Sequence, residues 1–229
     1  MKQPFWKKLL SYFFEIHIES TSGEFNSHLY VSLKNGRYQL CSENAIYSFE
    51  DLYTNFLKAF ATIEWTKLEV KNVLVLGFGL GSVVQILEKN FGKKFHYTGV
   101  EADETVLYLA HKYVLPKIQS PVELVCTRAE NFVLQTTRKF DLILMDVFLD
   151  DKIPPDLQTT FYLSALKERL SKSGLLLYNR LAQSENDVSD ARLFFEKKFK
   201  EVFPDSTYLD VGGNWILINK SDVLKNKLN

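Results

Sequence analysis

Three glycines at alternate positions follow a short apolar run in the segment Asn72-Val-Leu-Val-Leu-Gly77-Phe-Gly79-Leu-Gly81. An apolar run of this length that ends in glycines predicts a buried strand followed by a tight turn at Gly77. Helical spacing begins at Ser82, so the free N–H groups and the positive dipole end of that helix face the turn. Gly79 and Gly81 carry no Cβ, so a ligand can lie against their backbone. The segment therefore predicts an α/β sheet with a ligand site at the carboxyl edge of this strand.

Glu101 ends the next apolar run along the chain. An ionised carboxylate at the end of the neighbouring strand can accept hydrogen bonds from both hydroxyls of a ribose. A dinucleotide fingerprint, G-x-G-x-x-G, would place its third glycine at Ser82, whereas the chain has it at Gly81. The observed spacing favours a nucleoside ligand without a pyrophosphate, such as S-adenosylmethionine. The alternative is a tight turn that needs positive φ and binds nothing.

After residue 71, apolar runs alternate with segments of helical spacing. The predicted strands are Val73–Leu76, Phe95–Val100, Val122–Cys126, Phe140–Met145 and Leu175–Asn179. Consecutive apolar strands separated by helices predict a parallel sheet that is covered on both faces. Two last strands, Thr207–Val211 and Trp215–Asn219, are joined by three residues only, and such a short link requires an antiparallel hairpin. The predicted fold class is α/β, a Rossmann-like class I methyltransferase sheet of seven strands with a C-terminal antiparallel hairpin.

The first part of the chain follows a different pattern. Residues 14–49 alternate polar and apolar side chains, and Asn35-Gly36 is typical of a hairpin turn, so a small antiparallel β unit is predicted. Lys2–Phe14 predicts an amphipathic opening helix, with Pro4 near its first turn. The expected division is 1–49 for this helix and β unit, 50–71 for a linking helix, 72–220 for the transferase domain and 221–229 for a flexible tail.

Composition excludes several classes of function. Lys plus Arg and Asp plus Glu number 28 each, so no overall field favours nucleic acid or an anionic membrane as a partner. No apolar run is long enough for a membrane span. Cys41 and Cys126 lie far apart and are expected to be reduced core residues of a cytoplasmic protein. The four histidines show no metal-ligand spacing, so no metal is predicted.

The segment Asp141-Leu-Ile-Leu-Met-Asp146-Val-Phe-Leu-Asp150-Asp151-Lys-Ile-Pro154 is the most specific in the chain. Together with Val73–Ser82 and Gly99–Asp103, it resembles the spermidine synthase-like, polyamine aminopropyltransferase-related branch of the class I S-adenosylmethionine-dependent methyltransferase superfamily. The resemblance covers residues 14 to about 219, including the N-terminal β unit.

This resemblance implies a ligand set and site residues. The cofactor would be S-adenosylmethionine, its decarboxylated form or methylthioadenosine. The residues implied in binding it are Gly77, Gly79, Gly81, Glu101, Ala129 and Asp146. Asp146 would also be the catalytic residue, because transfer from a sulfonium donor leaves the protein to align the acceptor and remove its proton. Asp150 and Asp151 would attract a cationic, small-molecule acceptor, unless they are solvated turn residues.

Several positions depart from the family pattern. Leu80 replaces an acidic residue, Arg128 an aspartate that contacts adenine, Ile46 a glutamine that holds the nucleoside, and Asn55 and Phe56 a Tyr-His pair in the polyamine groove. The main prediction is therefore alkyl (methyl) transfer to a small or cationic acceptor, with little use of putrescine. The alternatives are a true spermidine synthase, or an inactive binding or interaction protein on the same fold. A homodimer through the N-terminal β unit is also expected.

Overall fold

The computed structural model describes residues 3–42, 46–149 and 152–225 of the 229-residue chain. Two sheets organise the fold, one of four strands near the N-terminus and one of seven strands in the remainder. The strands of the first sheet are β1 (Ile16–Thr21), β2 (Leu29–Lys34), β3 (Arg37–Cys41) and β4 (Ile46–Ser48). Those of the second are β5 (Asn72–Leu76), β6 (His96–Glu101), β7 (Val122–Cys126), β8 (Phe140–Met145), β9 (Leu170–Ala182), β10 (Thr207–Asp210) and β11 (Gly213–Ile218).

The large sheet has the strand order β10-β11-β9-β8-β5-β6-β7. Strands β5 to β9 pair in parallel, whereas β11 is antiparallel to both β9 and β10. Gly212 and Gly213, at φ 82° and 84°, make the tight connection between the last two strands. The predicted fold class is therefore confirmed, including the antiparallel hairpin at the end of the chain.

Helices accompany the sheets, and all of those that follow except the first cover the faces of the large sheet. They are α1 (Phe5–Leu10), α2 (Thr54–Thr62), α3 (Ser82–Phe91), α4 (Glu104–Tyr113), α5 (Ala129–Gln135), α6 (Thr160–Arg169) and α7 (Glu185–Phe194), the last continued by a π-helical turn over Phe195–Phe199. On one face α2, α3 and α4 share a hydrophobic core with the small sheet. On the other face α5, α6 and α7 form a second core. Both faces of the central strands are thus removed from water, which explains their continuous apolar sequence.

The small sheet is antiparallel throughout, in the order β1-β2-β3-β4. The predicted hairpin turn lies between β2 and β3, where Asn35 and Gly36 have φ values of 51° and 71°. Leu29, Val31 and Leu40 point into the core that the sheet shares with α2, α3 and α4. This packing places the end of β4 beside the glycine turn that follows β5.

Two predictions about local structure are wrong. The opening helix is shorter than Lys2–Phe14, and none of the residues in Phe5–Leu10 is buried, so its apolar side chains do not face the core. Cys126 is exposed rather than buried, because β7 is the edge strand of the large sheet and the cysteine is its last residue. Over the residues that the structure describes, no helix is both long and apolar enough to cross a membrane.

Candidate active site

The turn between β5 and α3 requires its glycines. Gly77, Gly79 and Gly81 have φ values of 81°, 53° and 78°, in the left-handed region that side chains disfavour. A Cβ built at Gly77 would lie 2.3 Å from the carbonyl oxygen of Asp146, so this glycine lets the turn pass close to the end of β8. Backbone N–H groups of Gly77 and Phe78 donate to the carbonyl of Val100, which ties the turn to β6.

The turn is also held by the N-terminal sheet. The Leu80 N–H donates to Ser48 Oγ at 3.2 Å, and the hydroxyls of Ser48 and Ser82 are 2.6 Å apart. The Phe49 N–H donates to Ser82 Oγ at 3.0 Å. Strand β4 therefore fixes the beginning of α3, and the small sheet forms one wall of the site.

Glu101 lies beside the glycine turn at the end of β6. Its Oε2 accepts a hydrogen bond from the Gly79 N–H at 3.1 Å, and Oε1 accepts from the N–H groups of Ala102 at 2.9 Å and Asp103 at 3.4 Å. Burial raises the pKa of Glu101, and these backbone donors oppose the rise. A carboxylate has about four lone-pair positions, so Glu101 keeps capacity to accept from a ligand hydroxyl.

Asp146 lies one residue beyond the end of β8 and is contacted from two other elements. Its Oδ1 accepts from Asn179 Nδ2 at 2.8 Å and from the Tyr53 hydroxyl at 3.3 Å. Asn179 is on β9, and its own Oδ1 accepts from Asn214 Nδ2 on β11 at 2.9 Å. These amide contacts orient the Asp146 carboxylate without neutralising it.

The electrostatic environment of Asp146 is unusual for a carboxylate. Burial raises its pKa to about 6, and repulsion from the charge of Glu101 acts in the same direction, while the hydrogen bonds from Asn179 and Tyr53 lower it. A carboxylate with a pKa near neutrality is a stronger proton acceptor than an ordinary aspartate and is still largely ionised at pH 7. The arrangement is suited to general base chemistry.

A cavity of about 760 Å³ connects these groups. Gly77, Gly79, Glu101 and Asp146 lie on its wall, so the structure brings four of the predicted site residues together. Three carboxylates line the cavity, those of Glu101, Asp146 and Asp187, and among the described residues no lysine or arginine does. Such a lining favours a positively charged occupant.

A smaller cavity of about 50 Å³ adjoins the first and shares Tyr47, Gly77, Glu101, Val147 and Phe148 with it. Ala129 lies on its wall, at the start of α5. The loop before β2 closes this cavity with Phe25 and Asn26, and the Phe25 N–H donates to Asp103 Oδ2 at 3.4 Å.

The other predicted site residues lie elsewhere. Gly81 lines neither cavity; a Cβ built there would meet the ring of Phe78 at 2.9 Å, so Gly81 serves the packing of the turn. Asp150 and Asp151 are outside the described residues. The residues on either side of them, Leu149 and Lys152, pair through two backbone hydrogen bonds of 2.8 Å and 3.0 Å.

The positions that depart from the family pattern have different surroundings. Leu80 is fully buried in the core, and Phe56 is fully buried on α2, so neither presents its side chain to a ligand. Arg128 forms an ion pair with Glu130. Ile46 and Asn55, in contrast, line the large cavity.

Sequence reasoning missed several residues of the site, namely Tyr53, Asn179, Gln183, Asp187 and Asn214. Tyr53 lies two residues before Asn55, close to the positions that replace the family's Tyr-His pair, so a tyrosine at this place in the chain was an available signal. Asn179, a polar residue at the end of an otherwise apolar run, was a second available signal. Asp187 had no such signal, because an acid in the first turn of a helix is common.

Sequence comparison finds two relatives among curated proteins. The chain is 27% identical over 122 residues to a probable polyamine aminopropyl transferase from Bifidobacterium longum, covering 52% of this chain and 27% of the relative. It is 25% identical over 163 residues to a polyamine aminopropyltransferase from Vibrio vulnificus, covering 69% of this chain and 52% of the relative. The aligned segments thus span about half of one relative and about a quarter of the other. No family model matches the chain.

Solved structures resemble the fold over most of the chain. A probable spermidine synthase from Corynebacterium glutamicum superposes with a TM-score of 0.72 at 18% identity, covering 87% of this chain and 78% of that one. A spermidine synthase in complex with the transition state analogue AdoDATO gives a TM-score of 0.67 at 17% identity, with 89% and 72% covered. The resemblance to spermidine synthase-like proteins that the motifs predicted is confirmed.

Proposed function

We propose that this protein transfers an aminopropyl group from decarboxylated S-adenosylmethionine to an amine acceptor that carries a second positive charge. The observation that carries the proposal is Asp146, a carboxylate with a raised pKa on the wall of an acid-lined cavity. Among the residues that the structure describes, its hydrogen-bond partners are all neutral. Both sequence relatives are named for aminopropyl transfer, which favours this reaction over the methyl transfer that was the main expectation from sequence.

The residues around the glycine turn fit the nucleoside part of such a donor. Gly77 and Gly79 present backbone without a side chain to the large cavity, and Glu101 has acceptor capacity for a ribose hydroxyl on the same wall. Ala129, on the wall of the adjoining small cavity, would lie near the base. When bound, the donor supplies a carbon that is already activated by the positive charge on sulfur.

Asp146 would act on the acceptor. An amine nitrogen must lose its proton to become a nucleophile, and the Asp146 carboxylate is placed to accept that proton. In the transfer, a nitrogen–carbon bond forms as the carbon–sulfur bond breaks, and the electron pair of the broken bond stays on sulfur. Tyr53 and Asn179 hold the carboxylate in one orientation, so the acceptor does not have to order it on binding.

Asp187 gives the cavity a second charged group for a diamine or polyamine. Hydrogen bonds from the backbone and hydroxyl of Ser184 lower the pKa of Asp187, so it stays ionised at neutral pH. Gln183 and Asn214 add polar groups to the same wall. The expectation that putrescine would be used poorly rested on the distal end of the groove, where Asn55 and Phe56 replace the Tyr-His pair and Ile46 replaces a glutamine. The carboxylate of Asp187, on the wall of the same cavity, supports the use of putrescine nevertheless.

The test is a direct assay of the purified chain with decarboxylated S-adenosylmethionine and a panel of amines, with products identified by mass spectrometry. Asp187→Asn is the informative variant, because asparagine keeps an oxygen for the Ser184 contacts but removes the charge. We expect it to raise KM for putrescine by about tenfold and to leave KM for a monoamine of similar length nearly unchanged.

Two controls complete this experiment. In one control, S-adenosylmethionine replaces the decarboxylated donor. Methylated products in this control, together with no aminopropylated products from the decarboxylated donor, would favour methyl transfer instead. Thermal shift with methylthioadenosine reports nucleoside binding separately from turnover. Binding without turnover for any amine would contradict the proposal and support an inactive binding protein on the same fold.

A further inference from the structure

The segment Phe5–Phe14, which comprises α1 and the turn after it, exposes an unusual amount of apolar surface. Seven of its ten residues are large apolar side chains that are between 44% and 80% exposed: Phe5, Trp6, Leu9, Leu10, Tyr12, Phe13 and Phe14. They make up half of the fourteen exposed large apolar side chains in the described part of the chain. Monomeric soluble proteins rarely leave so contiguous an apolar patch in water.

The segment faces the protein with polar groups, whereas an ordinary surface helix faces it with apolar side chains. Its one buried residue is the polar Ser11, which binds the hairpin turn of the small sheet. The Asn35 N–H donates to the Ser11 carbonyl at 2.8 Å, and the Gly36 N–H donates to Ser11 Oγ at 2.9 Å. Lys8 and the Tyr12 hydroxyl also approach Gly36. Polar groups thus attach the segment to the protein, and its apolar side chains point outward.

The charge of the segment indicates which kind of partner covers its exposed apolar side chains. Residues 1–14 contain Lys2, Lys7 and Lys8 and no acidic residue. The first acid, Glu15, is 3.8 Å from Lys34 and so has a cation of its own. A second copy of the same surface would bring these lysines against one another, whereas an anionic surface would neutralise them. Aromatic side chains interspersed with lysines are the composition of segments that lie at a lipid–water interface.

We propose that Phe5–Phe14 docks this protein on an anionic lipid surface, with the aromatic side chains in the headgroup region and the lysines beside lipid phosphates. Helix α1 has six residues, about 9 Å, so the segment lies along the interface and does not cross it. The zero net charge of the whole chain led to the expectation of no membrane partner. A net charge summed over the whole chain does not reveal the excess of lysine within residues 1–14.

The test is co-sedimentation of the full chain with vesicles of phosphatidylcholine alone or mixed with phosphatidylglycerol. We expect binding to the mixed vesicles, weakened by added salt. Replacing Trp6, Phe13 and Phe14 by serine together should lower the partition coefficient about tenfold or more, and Lys7→Gln with Lys8→Gln should lower it severalfold. Trp6 fluorescence should shift to the blue on binding.

A matched control replaces two exposed apolar residues elsewhere, Phe161→Ser with Leu193→Ser, which are 69% and 60% exposed. This double variant should bind vesicles as the unmodified chain does. None of the substituted side chains is buried, so each variant should keep the melting temperature of the unmodified chain, and light scattering of each reports its mass. Equal binding to neutral and mixed vesicles would overturn the proposal. So would a soluble dimer that the serine variant dissociates while vesicles are not bound.

Discussion

Two sites in this molecule withdraw an aspartate at least partly from water and shift its pKa in opposite directions. Asp146, beside the cavity, receives its hydrogen bonds from an amide and a phenol, and burial raises its pKa to about 6. Asp51 follows β4 in the N-terminal part of the chain. Burial acts to raise its pKa too, but contacts with Arg37 at 2.6 Å and Lys89 at 2.7 Å outweigh it and lower the pKa to about 2.

The difference between the two aspartates lies in their hydrogen-bond partners. Asp51 belongs to a cluster in which Glu50, 1% exposed, contacts Lys117 at 2.7 Å, so the cluster joins the linking segment to β3, α3 and the loop before β7. Paired charges of this kind hold elements together. Neutral donors orient Asp146 and leave its charge available to a ligand. Burial alone therefore does not identify a reactive carboxylate. Asp146 is the candidate because a raised pKa, a place on the cavity wall and neutral hydrogen-bond donors occur together there.

The largest expected effect is on the rate of the reaction, which should depend on Asp146 and not on Asp51. Asp146→Asn should lower kcat/KM for aminopropyl transfer by about 10²–10⁴-fold, because the amide cannot accept the proton of the acceptor. Asp51→Asn, measured per folded molecule, should change it by less than about threefold. Equal losses in the two variants would mean that Asp146 acts through the fold and not through proton transfer.

The second prediction concerns stability at the charged cluster. Asp51→Asn should lower the free energy of unfolding by about 1–3 kcal/mol at pH 7, a figure reduced because Lys89 is partly exposed. The folded pKa is below the unfolded value, so this contribution is present above about pH 4 and is lost as the pH falls towards 2. Urea unfolding at several pH values measures it. A loss that persists undiminished at the lowest pH would point to packing instead of charge.

At Asp146 the expected change in the free energy of unfolding has the opposite sign. Asp146→Asn should raise the free energy of unfolding by about 1–2 kcal/mol at pH 8, because it removes a charge that burial disfavours. The folded pKa of about 6 is above the unfolded value, so the native carboxylate costs stability as the pH rises from about 4 to 6, and the gain should vanish near pH 4. Thermal unfolding of both proteins across this range checks the prediction, and a gain independent of pH would refute its electrostatic basis.

The smallest effects are expected in the pH dependence of the rate. Activity should rise with pH through about 6 as Asp146 ionises. Asn179→Ala removes a donor to the ionised form, so the acid limb should move upward by about one pH unit. Tyr53→Phe should move it the same way but by less, because its contact is longer, 3.3 Å against 2.8 Å. A shift to lower pH in either variant would show that these groups do not stabilise the carboxylate.

The sequence by itself determined those parts of the protein that depend on local chemistry. The glycine spacing at Gly77–Gly81, the apolar strands and the short C-terminal link led to the fold class, because backbone sterics and hydrophobic periodicity act over a few residues. The same local signals placed Glu101 and Asp146 at the carboxyl ends of strands, where parallel sheets bind ligands.

Only the tertiary structure decided which distant residues meet at that edge. Tyr53, Asn179 and Asn214 belong to three separate elements, and their contact with Asp146, direct or through Asn179, depends on the strand order, which inserts β11 beside β9. Likewise, the outward direction of Phe5–Phe14 follows from the attachment of Ser11 to the β2–β3 turn. Hydrogen-bond partners and burial depend on the packing of residues far apart in the chain, and no spacing along the sequence contains that information.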